Sequence, residues 1–219
     1  SSKGYLLDLK NGELQRLEAD DKIIQLSLAI GETAVVLLTD EAFDAQQKKK
    51  FNDSIQIEND FMFCKDIELS CDENGFKKLK HSDKSTPIQL GDWSYLIGKA
   101  YSGSGVYEAT FTLPSEKVGK EGEINLGEVR YTASVYLNNQ LIGTAFMSPY
   151  RLKIPVGLLD EENNLKIVVT NTSANWYIHT DYFDKWKMTE LSPYFETELD
   201  FAKDSVSGGL YGPVEIFTE

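Results

Sequence analysis

The sequence predicts an all-β fold: an antiparallel β-sandwich of jelly-roll type preceded by a small β unit. Three observations carry this. Apolar residues alternate with polar ones at a period of two, most cleanly at Val129, Tyr131, Ala133, Val135 and Leu137, the pattern of a strand with one buried face. Turn-forming Gly, Asn and Asp recur between short apolar runs, as they do between the strands of sandwiches. No long helical period is present, and the 11 Tyr and 11 Phe suit half-buried pleated surfaces.

Taken in order, Tyr5 to Leu9 reads as a strand, Asn11-Gly12 as a tight hairpin turn and Glu13 to Leu17 as the returning strand. Lys22 to Leu28 and Thr33 to Thr39 read as a second pair about Ile30-Gly31. The segment Glu41 to Lys50 is charged and Gln-rich without an apolar face, so it reads as a linker or an exposed helical turn. Ile55, Ile57, Phe61, Phe63, Ile67 and Leu69 mark two strands about Glu58 to Asp60. A polar loop with Gly75 and Pro87 follows, then Leu90 to Trp93 and a Gly/Ser-rich turn over Tyr101 to Gly105.

Tyr107, Ala109, Phe111 and Leu113 form one face of a strand that Pro114 closes. Within Ile124 to Asn171, Asn138-Asn139 supplies the two non-glycine residues most tolerant of positive φ, so a hairpin is expected there. Asp160 to Asn164 is a second turn, and Leu165, Ile167 and Val169 restart the alternation. Ala174 to Phe201 reads as a long aromatic loop, of a length that is usually functional or covers a core. The last strand is Gly212 to Phe217. Two domains are expected, a small β unit over 1–45 and the sandwich over 51–219. Ser1 is not Met and a strand begins almost at once, so the chain is expected to start inside a longer protein.

The net charge is −13, with no basic cluster longer than Lys48 to Lys50. That argues against nucleic acid and anionic membrane as partners. No apolar run is long enough for a membrane-spanning helix. Cys64 and Cys71 would lie about 23 Å apart in one extended strand, far beyond the reach of a disulfide, so free thiols are expected unless a sharp turn intervenes. Only His81 and His179 are present. With no CxxC, HExxH or EF-hand spacing, no metal ligand set is expected. Gly103, Gly105, Gly208 and Gly209 precede no helix and form no phosphate cradle.

Five motifs occur in order: Phe111 to Pro114, Leu126 to Val129, Val135 to Gly143 (with Asn139 where Gly is usual), Pro149 to Arg151, and Asn163 to Asn171. Together with GGLYGPVEIF near the end, they resemble the galactose-binding-type jelly roll of glycoside hydrolases. That module is the sugar-binding domain of the family-two β-galactosidase and β-glucuronidase group, and it also closes bacterial α-L-rhamnosidase-like enzymes. The resemblance covers 88–217, and more loosely 51–217. Asp8 to Leu17 and Gln25 to Thr33 resemble the last strands of the β domain that precedes such a sandwich in the rhamnosidase-like enzymes.

The resemblance implies a noncatalytic C-terminal accessory domain of a bacterial glycoside hydrolase, in a periplasmic or extracellular setting. Its partners would be the catalytic domain of the same parent chain and carbohydrate. Glycoside hydrolysis needs two carboxylates placed across the scissile bond, and no family-like catalytic pair is found, so no catalytic residue is nominated. Sugar recognition combines an aromatic face with polar groups that hold hydroxyls. Trp176, Tyr177, His179, Asp181, Trp186 and Arg151 have that composition; Trp93 and Tyr95 are a second group. No cofactor is expected, although sandwiches of this type can hold a structural Ca²⁺ through loop carbonyls. The alternative is a structural protein-interaction module whose aromatic loop buries against a partner and never touches sugar.

Overall fold

The computed structural model describes residues 3–9, 12–17, 23–26, 28, 31–47, 51, 53–57, 61–72, 75–180 and 206–218. The chain forms two compact units, Ser1–Asn52 and Asp53–Glu219.

In the first unit, β1 (Lys3–Leu7) and β2 (Leu14–Leu17) are the expected antiparallel hairpin, with Leu7 opposite Leu14. Gly12 takes a φ of 76°, and its N–H bonds Asp8 O at 2.8 Å. Two expectations fail here. β3 (Val35–Thr39) pairs with β1 and not with described residues 23–26 or 28, because Tyr5 and Leu6 offer Leu37 and Val36 apolar partners directly opposite. Residues 24–26 carry no strand. The segment read as a linker supplies β4 (Gln46–Gln47), parallel to β2. Tyr5 is buried, packs edge-on against Phe43 at 5.5 Å and accepts the Phe43 N–H at its hydroxyl.

The second unit is an antiparallel sandwich. Its strands are β5 (Asp53–Gln56), β6 (Phe61–Asp72), β7 (Gly75–Lys80), β8 (Thr86–Ile88), β9 (Gly103–Thr112), β10 (Gly122–Asn125), β11 (Glu128–Arg130), β12 (Thr132–Leu137), β13 (Gln140–Ala145), β14 (Arg151–Ile154), β15 (Glu162–Thr170), β16 (Gly209–Gly212) and β17 (Glu215–Thr218). Two short helices, α1 (Ser94–Ile97) and α2 (Ala174–His179), interrupt them. One sheet runs β13-β12-β15-β9-β6-β7 with β8 also on β6; the other runs β14-β10-β17-β5, and β11 pairs with β16.

A single apolar core joins the two sheets. It takes Tyr107, Phe111, Ala133, Val135, Leu165, Ile167 and Val169 from the large sheet and Ile124, Ile154 and Ile216 from the small one. Every one of the alternating positions on β9 and β15 is buried. Trp93, fully buried, sits among Phe63, Tyr101 and Tyr107 with ring centroids 5.8, 5.8 and 6.4 Å away.

The run from Val129 to Leu137 is not one strand. It breaks at Tyr131, so that Val129 belongs to the β11–β16 pair while Ala133, Val135 and Leu137 belong to the large sheet. At the other end of β12, Asn138 and Asn139 adopt φ of 50° and 66°, the double positive φ of a type I′ hairpin. Asn138 does more than turn. Its Nδ2 donates to Leu158 O at 2.8 Å and to Asn163 Oδ1 at 3.0 Å, and its Oδ1 accepts from Asn164 N at 2.9 Å. β15 accordingly starts at Glu162, inside the stretch read as a turn.

The Gly/Ser stretch read as a turn is instead the start of β9. A Cβ at Gly103 would lie 1.9 Å from Ile67 O, and one at Gly105 would lie 2.3 Å from Phe63 Cε2. These glycines permit close approach of neighbouring strands, not a change of direction. The polar loop after Asp72 is likewise partly β7, an edge strand whose Lys77, Lys78 and Lys80 discourage further pairing. Cys64 and Cys71 both lie on β6 as free thiols.

Tyr101 donates its hydroxyl proton to Ser104 O at 2.7 Å, and the Tyr107 hydroxyl accepts the Leu210 N–H at 3.2 Å. Burial pushes both phenols well above their usual value of 10.0, and Glu68 and Asp83 add to the effect at Tyr101. A raised folded-state pKa means that the unfolded chain releases protons the folded chain keeps. The stability these two groups contribute is therefore full below about pH 10 and falls as pH rises above it. Urea melts between pH 8 and 11 should show that decline, and Tyr101→Phe or Tyr107→Phe should flatten it.

Candidate functional site

The site builds around α2, in the segment expected to be a continuous loop. Ser102 anchors it. Its Oγ donates to Thr172 O at 3.0 Å and accepts the Trp176 N–H at 2.7 Å, which fixes the first turn of the helix against the start of β9. Asn171 locks the same corner. Its Oδ1 accepts from Gly103 N at 2.8 Å and its Nδ2 donates to Tyr101 O at 2.7 Å. Asn171 is 8% exposed, with its amide committed on both sides.

Held this way, α2 brings Trp176 and Tyr177 to the β6–β7 hairpin. Trp176 and Tyr177 meet edge-to-face at 5.3 Å, and Phe76 on β7 meets them at 5.6 and 5.9 Å. Strand alternation puts Lys78 on the same face as Phe76, two residues along. Opposite Lys78 in register is Leu69 of β6. Two residues along β7 from Phe76, and at the start of α2, Lys78 and Ser173 line a hollow of about 250 Å³, with Ile67 and Leu69 as apolar lining and Ser102 and Thr172 as further polar lining.

The other sequence candidates fall elsewhere. His179 ends α2 on the face it shares with buried Asn175, and His179 Nε2, Asn175 Oδ1 and Thr180 Oγ1 are buried without a hydrogen-bond partner among the described residues. Arg151 is on β14 in the other sheet, where its guanidinium meets Glu123 at 3.4 Å. Asp181 and Trp186 lie outside the described residues. Trp93 is core, whereas Tyr95 is exposed on α1. His81, directly after β7, lies 2.6 Å from Glu68 Oε2 of β6 and 3.8 Å from Asp83 Oδ2.

Sequence reasoning missed Phe76 and Lys78. Phe76-Lys77-Lys78-Leu79-Lys80 carries no period-two alternation of apolar residues, so its charges read as loop and its strand character left no local signal. Among the described residues no group of three His, Cys, Asp or Glu side chains is arranged to hold a metal. Nor does any carboxylate line the hollow. The hollow thus combines an apolar lining with exposed hydroxyls at Thr172 and Ser173 and one cation, Lys78.

No protein-family model matches the chain. A protein of Formosa agariphila named "Putative beta-glucuronidase" is 30% identical over 115 residues, covering 50% of this chain and 9% of its own length. A rhamnosidase from Novosphingobium sp. PP1Y superposes with a TM-score of 0.59 at 20% identity, over 99% of this chain and 20% of the rhamnosidase. A β-glucuronidase of Bifidobacterium dentium, solved with coumarin-3-O-glucuronide, superposes with a TM-score of 0.52 at 20% identity, over 78% of this chain and 30% of the enzyme. The chain thus spans less than a third of each of these proteins. What it shares with the two solved enzymes is a fold, an antiparallel β-sandwich that makes up a minor part of a longer glycoside hydrolase.

Proposed function

We propose that this chain is a noncatalytic accessory part of a bacterial glycoside hydrolase, which supports the catalytic domain and contacts carbohydrate at the Phe76–Trp176–Tyr177 rim. The rim carries the reading. Three aromatic rings, brought together from two elements remote in sequence, stand beside a hollow lined by hydroxyls and free of carboxylates. Aromatic side chains present an apolar body to a sugar's C–H face while neighbouring hydroxyls meet its polar edge. The small share of each similar enzyme that the chain covers supports an accessory role.

Calorimetric titration with a panel of oligosaccharides tests the reading. Trp176→Ala should weaken the best ligand about tenfold, the loss typical of an aromatic anchor worth more than 1 kcal/mol. A folded chain that binds no glycan, yet is captured by its catalytic domain through the same rings, would make the rim a protein interface. Hydrolysis of aryl glycosides by the isolated chain would refute the noncatalytic role.

A further inference from the structure

We infer that the hollow beside the aromatic rim selects an acidic saccharide, one carrying a carboxylate or a sulfate ester, through Lys78. This rests on the carbohydrate reading above and narrows its ligand class.

The argument begins with charge. The chain as a whole is strongly acidic, so a site for an anion needs a local cation that is not already spent. β7 supplies three lysines, and two are engaged: Lys77 bonds Asp72 at 2.5 Å, and Lys80 bonds Asp66. The next lysine along β6, Lys65, pairs with Asp83 at 3.3 Å. Lys78 alone of the three on β7 makes no ion pair among the described residues, and it is the one that lines the hollow. Asp72, Asp66 and Asp83 each pair with another lysine.

Shape agrees with charge. Alternation sets Lys78 about 7 Å along the strand from Phe76 and on the same face. A ring lying against the aromatic rim would place a substituent at the ammonium. At about 250 Å³ the hollow is smaller than the roughly 300–1,000 Å³ of pockets for larger ligands, which fits one pyranose unit of a longer chain. Thr172 and Ser173, both exposed, then face its hydroxyls. Both acid classes offer the same chemistry to a lysine, an oxyanion that accepts from –NH₃⁺.

The test uses trigalacturonate, its methyl ester and a 6-sulfated galactotriose as probes, titrated at 50 mM and 500 mM NaCl into the unmodified chain, Lys78→Gln and Trp176→Ala. Trigalacturonate or the sulfated trisaccharide should bind the unmodified chain about fivefold more tightly than the methyl ester at low salt, as expected for a partly exposed charge contact. High salt and Lys78→Gln should each remove that preference, bringing acid and ester to equal affinity. Which acidic probe gains more identifies the source of the anion. Trp176→Ala should weaken all three. Equal binding of acid and ester, or a preference that survives Lys78→Gln, overturns the inference and leaves the carbohydrate reading standing. Binding of none of the probes by the unmodified chain overturns this inference, and if the oligosaccharide panel also fails, the carbohydrate reading falls with it. Lys78 is exposed, so an unchanged melting curve is expected to accompany the substitution.

Discussion

Trp93→Ala should cost about 3–5 kcal/mol of stability, the range for deleting a large buried aromatic side chain. Trp93 has 0% exposure and its ring borders three others, stacked on Tyr107 with an interplanar angle of 12° and edge-on to Tyr101 at 89°. The surrounding strands are held by their own ladders and cannot collapse to fill the space, so the cavity persists and the full cost is felt. In a domain with about 5–15 kcal/mol of total stability this is a large fraction. Urea unfolding followed by far-ultraviolet circular dichroism should show a lower midpoint with an unchanged slope. Trp93→Phe should lose less, for two reasons. Phe keeps most of the ring, and it removes Nε1, a buried donor with no hydrogen-bond partner among the described residues. A Phe variant as unstable as the Ala variant would show that ring volume is not what matters at this position.

Gly127→Ala should be the second most damaging substitution, at about 2–4 kcal/mol, because two costs coincide there. Gly127 has a φ of 64°, which an L-residue adopts only at a penalty. A Cβ at that position would also lie 2.0 Å from Gly212 O, and backbone cannot rotate aside. Gly127→Asn separates the two. Asn tolerates positive φ better than Ala does, so recovery with Asn would mean the dihedral dominates. The geometry predicts no recovery, because the Asn Cβ meets the same carbonyl. Equilibrium unfolding of the two variants side by side decides the matter. The consequence reaches the whole β11–β16 pair, which this approach of Gly127 to Gly212 closes.

The site depends on the same economy of close approach. Gly103 lets β9 meet β6 at Ile67. Leu69 N, two residues further along β6, bonds Ser102 O at 2.6 Å, and Ser102 in turn sets the base of α2. Trp176 of α2 reaches Phe76 of β7 because a helix and a strand remote in sequence are brought together at that corner.

Period-two alternation by itself determined the all-β class, the inward faces of β9, β12 and β15, and the Asn138-Asn139 hairpin. Each of these is encoded locally, in one strand's own pattern or in two residues' tolerance for positive φ. Two aromatic members of the site, Trp176 and Tyr177, were legible as composition. Their third ring, Phe76, and Lys78, which makes no ion pair among the described residues, were not. They sit in a charged stretch whose strand character comes from pairing with β6 and not from any apolar face of its own. Arg151, equally plausible by residue type, was assigned by the tertiary structure to the opposite sheet and to Glu123. The glycines at 103 and 105 carry the same lesson. A sequence shows that a side chain is missing, but only the packed neighbour, Ile67 O or the Phe63 ring, shows whether its absence serves a turn or a contact. Local pattern sets what each segment can become; which segments meet, and hence where a site forms, is set by long-range packing.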